Sequence, residues 1–120
     1  MIEASCHCGK VKIRIPNSTE TVTSCNCSIC TRYGALWAYF EPKSVTVSCN
    51  KDALGTYSWA DKTIEFKHCK NCGCVTHYTP TKCGNKDKMA VNFRLVPAKI
   101  LNSAKIRYFD AADTWTFIGE

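Results

Sequence analysis

No apolar run in the 120 residues approaches the roughly 18 that a membrane-crossing helix requires, so no such helix is expected. The opening residues, Met1-Ile2-Glu3-Ala4-Ser5, lack the basic stretch followed by an apolar one that marks an export signal. Lysine and arginine form no run: Lys10, Lys12, Arg14, Lys43, Lys51, Lys62 and Lys67 stand singly. The basic stripe of a nucleic-acid binder is therefore missing, and these positions read as ordinary solvated surface. There is no linker, low-complexity tract or repeat, and no helical stripe longer than two turns. At 120 residues, within the usual span of about 100–150, the chain is expected to form one domain covering residues 1–120.

What the chain has in excess is cysteine, ten in all. With no export signal, a reducing cytoplasm is the expected compartment, and clustered thiols there bind metal more readily than they bridge. Seven of the ten fall into three groups: Cys6-x-Cys8-Gly9, Cys25-x-Cys27-x2-Cys30 and Cys69-x2-Cys72-Gly73. Seven ligands divide naturally into a closed set of four and an open set of three. A structural zinc is closed by four protein ligands, whereas a zinc that does chemistry keeps a position free. The formal charge of +6 falls to about +3 once seven thiolates and two Zn2+ are included, a balance compatible with a small anionic ligand.

Between the clusters the pattern is β. Val11, Ile13 and Ile15 alternate with Lys12 and Arg14, a half-buried strand closed by Pro16-Asn17-Ser18. Further strands are expected at Val45–Val47, Thr56–Trp59, Thr63–Lys67, Met89–Leu95 and Lys105–Phe109. Single helical turns are expected at Ser28–Tyr33 and Val96–Leu101. The fold class is all-β, with metal-binding loops at strand ends.

Cys6/Cys8 and Cys69/Cys72 read as two chelating loops of one site, each followed by a glycine that allows a left-handed backbone. The second unit, Cys25, Cys27 and Cys30, fills three corners of a tetrahedron. A helical turn starting at Ser28 would favour thiolate there. Arg32, Trp37 and Tyr39 follow closely, and suit a small pocket in which the guanidinium meets a carboxylate and the aromatics form walls. Two alternatives stand beside this reading: Cys74 or His77 closes the second site, or the cysteines hold an iron–sulfur cluster.

The order C-x-C-G, C-x-C-x2-C, Gly34-Ala35 and C-x2-C-G resembles the glutathione-dependent formaldehyde-activating (GFA) family, a domain shared with centromere protein V. Met89–Arg94 and Ile106–Asp110 extend the likeness over nearly the whole chain. The resemblance implies an Mss4-like all-β fold and two Zn2+ per chain. It makes Cys6, Cys8, Cys69 and Cys72 the structural zinc ligands, and Cys25, Cys27 and Cys30 the catalytic ones. The implied activity is addition of glutathione to formaldehyde, a carbon–sulfur lyase reaction. The implied partners are a small thiol and a small aldehyde. A non-catalytic two-zinc module that binds a protein or nucleic acid is the other class the resemblance allows.

Several residues fall outside the motif. Cys74 reads as a buried thiol next to the first site and His77 as a surface or hydrogen-bonded histidine; Cys49 and Cys83 read as spectators. Asn92 and Arg94, alternating with Val91, Phe93 and Leu95, are expected on one strand face, where they could hold a substrate carboxylate or alkoxide. Asp110 and Asp113, with Trp115, offer a carboxylate as proton donor or transient fourth ligand. The chain is short for the family, so loops that clasp a tripeptide are expected to be reduced.

Overall fold

The alternation of Ile13 and Ile15 with Lys12 and Arg14 becomes a strand whose apolar side chains are buried and whose charged ones are exposed. The same rule repeated along the chain produces a mainly β architecture in the computed structural model, which describes residues 1–120. Its elements are β1 (Ile2–Ser5), β2 (Lys12–Ile15), β3 (Thr21–Cys25), α1 (Ser28–Tyr33), β4 (Trp37–Phe40), β5 (Thr46–Ser48), β6 (Leu54–Tyr57), β7 (Ile64–Cys69), β8 (Val75–Pro80), β9 (Met89–Asn92), α2 (Ala98–Asn102), β10 (Lys105–Asp110) and β11 (Thr116–Phe117). No helix is long and apolar enough to cross a membrane.

The strands make a three-stranded sheet, β1-β2-β5, and an eight-stranded one ordered β11-β10-β3-β4-β9-β8-β7-β6. Pairing is antiparallel throughout except for β10 on β3, which is parallel and sets Phe109 beside Cys25. In the large sheet the register sets Ala38 beside Val91 and Phe40 beside Met89, with Trp37 beside Asn92 and Tyr39 beside Ala90 one residue out of phase. Successive side chains point to opposite faces, so these two sets line the two faces. The first set packs with Ala4, Val11, Ile13 and Ile15 of the small-sheet region in the main core. The second face carries a smaller core of Cys30, Ala35, Trp37, Phe66 and Ala90, with Tyr33 and Tyr78 against it. Trp37 meets Tyr78 edge-on at 4.9 Å, and Tyr33 meets Phe66 at 5.3 Å.

Three expectations need correction, the first being the strand expected at Thr56–Trp59, which instead spans Leu54–Tyr57. The strand expected at Met89–Leu95 stops at Asn92, and Phe93–Leu95 form a 3-10 turn. The cause is Asn92 itself, whose Oδ1 accepts the Arg94 N–H at 3.2 Å and caps that turn. Arg94 is thus exposed off the strand end while Asn92 is buried. The helical turn expected at Val96–Leu101 begins at Ala98, because the Pro97 carbonyl accepts from Ile100 at 2.9 Å and Leu101 at 3.1 Å.

Candidate metal centres and the cavity beside them

Cys6 and Cys8 lie in the loop after β1, while Cys69 ends β7 and Cys72 sits in the turn before β8. The four Sγ atoms all lie within 4.8 Å of one another. Cys6 and Cys8 are 3.7 Å apart, and Cys8 and Cys69 3.6 Å. A tetrahedron with Zn–S bonds of about 2.3 Å has edges of about 3.8 Å, so the donor set fits Zn2+ as it stands. Each half is a tight turn: Gly9 donates to the Cys6 carbonyl at 3.1 Å and Gly73 to that of Cys69 at 2.8 Å. Both glycines are left-handed, with φ of 81° and 82°. Backbone amides tune the sulfurs. The Cys74 and Cys8 N–H groups draw the Cys72 thiol down to about 5, and Asn71 and the Lys10 backbone hold Cys8 below its usual value. Burial pushes Cys6 up to about 11. The site joins the small sheet to the large one.

The second group is Cys25, Cys27 and Cys30, again with all Sγ atoms within 4.8 Å of one another. Cys25 ends β3, Cys27 is the N-cap of α1, and Cys30 lies in its first turn. The cap places the Cys27 sulfur where it accepts the Cys30 N–H at 3.4 Å. Beneath the loop, the Trp37 indole donates to Cys30 Sγ at 3.4 Å. A hydrogen bond from Cys30 is the main cause drawing the Cys25 thiol down to about 6. The same bond, with burial, pushes Cys30 far above its ordinary range. A cation bound among these sulfurs would displace the protons they carry.

Neither Cys74 nor His77 belongs to this group. Cys74 lies against Cys72, and although the His7 backbone N–H lowers its thiol, burial and the neighbouring thiols leave it raised. His77 is buried rather than at the surface, with Nδ1 2.8 Å from the Thr76 hydroxyl. Burial and nearby Lys67 push it down to about 4. Cys49 and Cys83 are exposed and in neither group.

A cavity of about 640 Å³ opens beside α1 and is lined by Arg32, Tyr33, Tyr57, His68, Gly73, Cys74, Val75, Asn92, Arg94 and Leu95. It spans the distance from the helix that carries Cys30 to the turn that carries Cys72. Of the side chains expected to bind substrate, it gathers Arg32, Asn92 and Arg94. Arg32 donates to the Ser28 carbonyl at 2.9 Å and Arg94 to that of Gly34, leaving further N–H groups free on both guanidiniums. Asn92 is committed to the backbone, since its Nδ2 donates to Val75 at 2.8 Å and its Oδ1 accepts from Leu36 at 3.3 Å. Trp37 is fully buried under the thiols and lines no part of the cavity. Tyr39 lines a different depression, with Lys88 Nζ 4.1 Å above its ring.

Tyr33, Tyr57 and His68 were absent from the expected set. Burial raises the Tyr33 hydroxyl, which therefore remains a proton donor at neutral pH. A sequence signal existed for His68. Gly55 pairs with it across β6 and β7, and a Cβ at Gly55 would lie 2.3 Å from the imidazole, so the glycine makes room for the ring.

Two comparisons bear on this geometry. The model of a family described as glutathione-dependent formaldehyde-activating enzyme matches residues 1–109. The crystal structure of a Rhodobacter sphaeroides protein superposes with a TM-score of 0.72 at 26% sequence identity, covering 88% of this chain and 99% of that one.

Proposed function

Because the chain belongs to the glutathione-dependent formaldehyde-activating family, we propose that it is a zinc enzyme that adds a thiol, glutathione in the first instance, to formaldehyde. In this reading Cys6, Cys8, Cys69 and Cys72 hold a structural Zn2+, and Cys25, Cys27 and Cys30 hold a second one whose fourth position serves substrate. The observation that carries it is the three-sulfur group with no fourth protein ligand; a cavity lined by Arg32 and Tyr33 of the same helix, and by Arg94, lies alongside that helix and has none of the three sulfurs in its wall. Zn2+ bound there would supply Lewis acidity, making a thiol ionise near neutral pH.

The reaction forms one C–S bond. The thiolate of glutathione attacks the formaldehyde carbon, the carbonyl π pair moves to oxygen, and that oxygen takes up a proton to give S-(hydroxymethyl)glutathione. The chain's residues bind, orient and shield. Arg32 and Arg94 offer charge-assisted hydrogen bonds to the glutathione carboxylates. Tyr33, kept protonated by its partial burial, presents a donor on the cavity wall for the oxygen that becomes the hydroxyl. Trp37 orients Cys30 through its indole N–H. The packed rings of Trp37, Phe66 and Tyr78 keep water from the inner side of the loop. A reducing cytoplasm suits ten free cysteines. In the lyase direction the same groups serve the reverse step.

Metal analysis and calorimetry on the wild type and Cys27→Ala test the reading, with adduct exchange followed by NMR. Two zincs per chain, glutathione binding lost in Cys27→Ala, and exchange between formaldehyde and its adduct accelerated by the wild type alone are expected. Two zincs with no glutathione binding would instead leave a non-catalytic two-zinc module.

A further inference from the structure

Asn26 stands between two thiol ligands, and every polar group of its side chain is in use. Its Nδ2 donates to Asp110 Oδ1 at 2.9 Å and its Oδ1 accepts the Ala112 N–H at 3.0 Å. Its backbone N–H donates to the Phe109 carbonyl at 3.2 Å. Asp110 is organised in turn: its Oδ2 accepts the Thr114 N–H at 3.3 Å and the Thr114 hydroxyl at 3.0 Å, and its carbonyl accepts from Trp115 at 2.7 Å. Trp115 closes this turn with a left-handed φ of 57°, costly for a bulky residue. Phe109 packs edge-on against Trp115 at 5.0 Å and Phe117 at 4.9 Å. The turn at Asp110–Thr114 lies beyond the residues matched by the family, 1–109.

We infer that Asn26, held by the Asp110 turn, is a positioning residue for the three-thiolate metal site. The chain enters from β3 and is still extended at Cys27, with φ −62° and ψ 163°. Alternation along extended chain sends residues i and i+2 to one side and i+1 to the other. Anchoring Asn26 outward on the C-terminal turn therefore directs Cys25 and Cys27 inward together. The ordering of the loop is met during folding rather than when metal binds, which raises affinity without adding a ligand. This inference rests on the second metal site of the proposed function and is independent of what that metal acts on.

The donor pattern gives a specific test. Asn26→Asp sets two carboxylates against each other. Asp110→Asn leaves an amide that cannot accept from both Asn26 and Thr114. The double variant restores every bond, since the Asn amide donates to the new Asp and its oxygen accepts from Thr114. Zn2+ affinities of both sites are measured by competition with a chromophoric chelator, and the sites are told apart by the Co2+–thiolate charge-transfer band in a Cys27→Ala background. Each single variant should weaken the three-thiolate site about 10–100-fold, the range for lost outer-sphere support. The double variant should return to within about threefold of wild type, and the four-thiolate site should not change. Wild-type affinity in both single variants, equal loss at both sites, or a double variant no better than the singles overturns the inference. Should Asn26→Asp not fold, Asn26→Ala, with the same 10–100-fold loss expected, decides in its place. A wild type that takes up one metal overturns the inference together with the two-site reading. Two metals without glutathione binding removes the proposed chemistry and leaves the inference standing.

Discussion

Arg32 illustrates how little of a residue's role lies in its type. Its guanidinium is tied by one bond to the Ser28 carbonyl, which orients the remaining N–H groups over the cavity at no further entropic cost. Arg32→Met keeps the aliphatic stem and removes the charge, so glutathione should bind about tenfold more weakly, the loss of one charge-assisted hydrogen bond, with both metals retained. Unchanged calorimetric affinity would remove Arg32 from the substrate site. His77 makes a different prediction, one about pH. Its folded value is about 4 against an ordinary value of about 6.5, so between these pH values the unfolded chain binds the extra proton. Stability is therefore fully present above about 6.5 and is lost as pH falls toward 4, by about 3 kcal/mol at most. His77→Gln should lack this loss. The gap in urea midpoint between wild type and variant should then move in the variant's favour from pH 7 to pH 5. Comparing the two proteins cancels the release of metal by acid, which both share, and a constant gap would show that His77 charges freely in the fold. Among residues, Trp37 shows the limit of pattern reading. Trp37 and Tyr39, read as two walls of one pocket, do share a face of β4, but the strand runs past the thiol loop, so one ring reaches Cys30 while the other faces a different depression.

The element that matters most for the proposed site is α1, six residues bounded by Cys27 as N-cap and Gly34 as C-cap. Gly34 is left-handed, at φ 64°, and its N–H donates to the Cys30 carbonyl at 3.0 Å. A Cβ there would meet nothing, so Gly34→Ala is a test of backbone strain alone. It should cost about 1 kcal/mol in denaturant unfolding. It should also weaken metal at the three-thiolate site more than at the four-thiolate site, because Cys30 hangs from the strained turn. Equal weakening at both would mean that α1 is not coupled to its sulfurs. This helix was legible from Ser28 onward, as were β2, β5, β7 and β10, because each carries its own periodicity. The strands that escaped notice have physical reasons for doing so. In β8, Thr76 and His77 are almost wholly buried because the strand lies inside the sheet with both faces covered, so alternation of polar and apolar residues has no work to do there. In β4 only Trp37 and Ala38 are buried, one on each face, and the apolar run continues through exposed Tyr39, so no alternation marks the strand. The pairing of β10 with β3 brings together segments some 80 residues apart, a partnership that no local pattern encodes, and with it comes the contact of Asp110 with Asn26. The metal ligands were the easiest part to read, since chelation demands short spacings that survive any fold.

At the scale of the whole molecule the two metal groups differ in what they connect. Cys25, Cys27 and Cys30 lie within one turn of chain, so a cation there constrains a local loop. Cys8 and Cys69, 61 residues apart and 3.6 Å from each other, tie the loop after β1 to the end of β7, and so the small sheet to the large. Cys6 and Cys69 are buried in the main core, and four sulfurs at this spacing repel one another unless a cation or protons compensate. Treated as a cross-link closing a loop of about 60 residues, the metal stabilises the fold by about 4 kcal/mol through the unfolded chain alone; the six-residue loop gives about 2 kcal/mol by the same relation. For a chain of this size the first figure corresponds to roughly 10–20 °C in Tm. Cys72→Ala should therefore lower the calorimetric midpoint by that amount, and stripping with a strong chelator should add about half as much again in that variant, by removing the second metal. Cys27→Ala should lower the midpoint by about half as much. It should leave a large further fall on chelation, because the connecting metal is still there to remove. If Cys27→Ala proves as costly as Cys72→Ala, the two groups share the structural burden. The division into one metal that holds the sheets together and one free to act would then be lost.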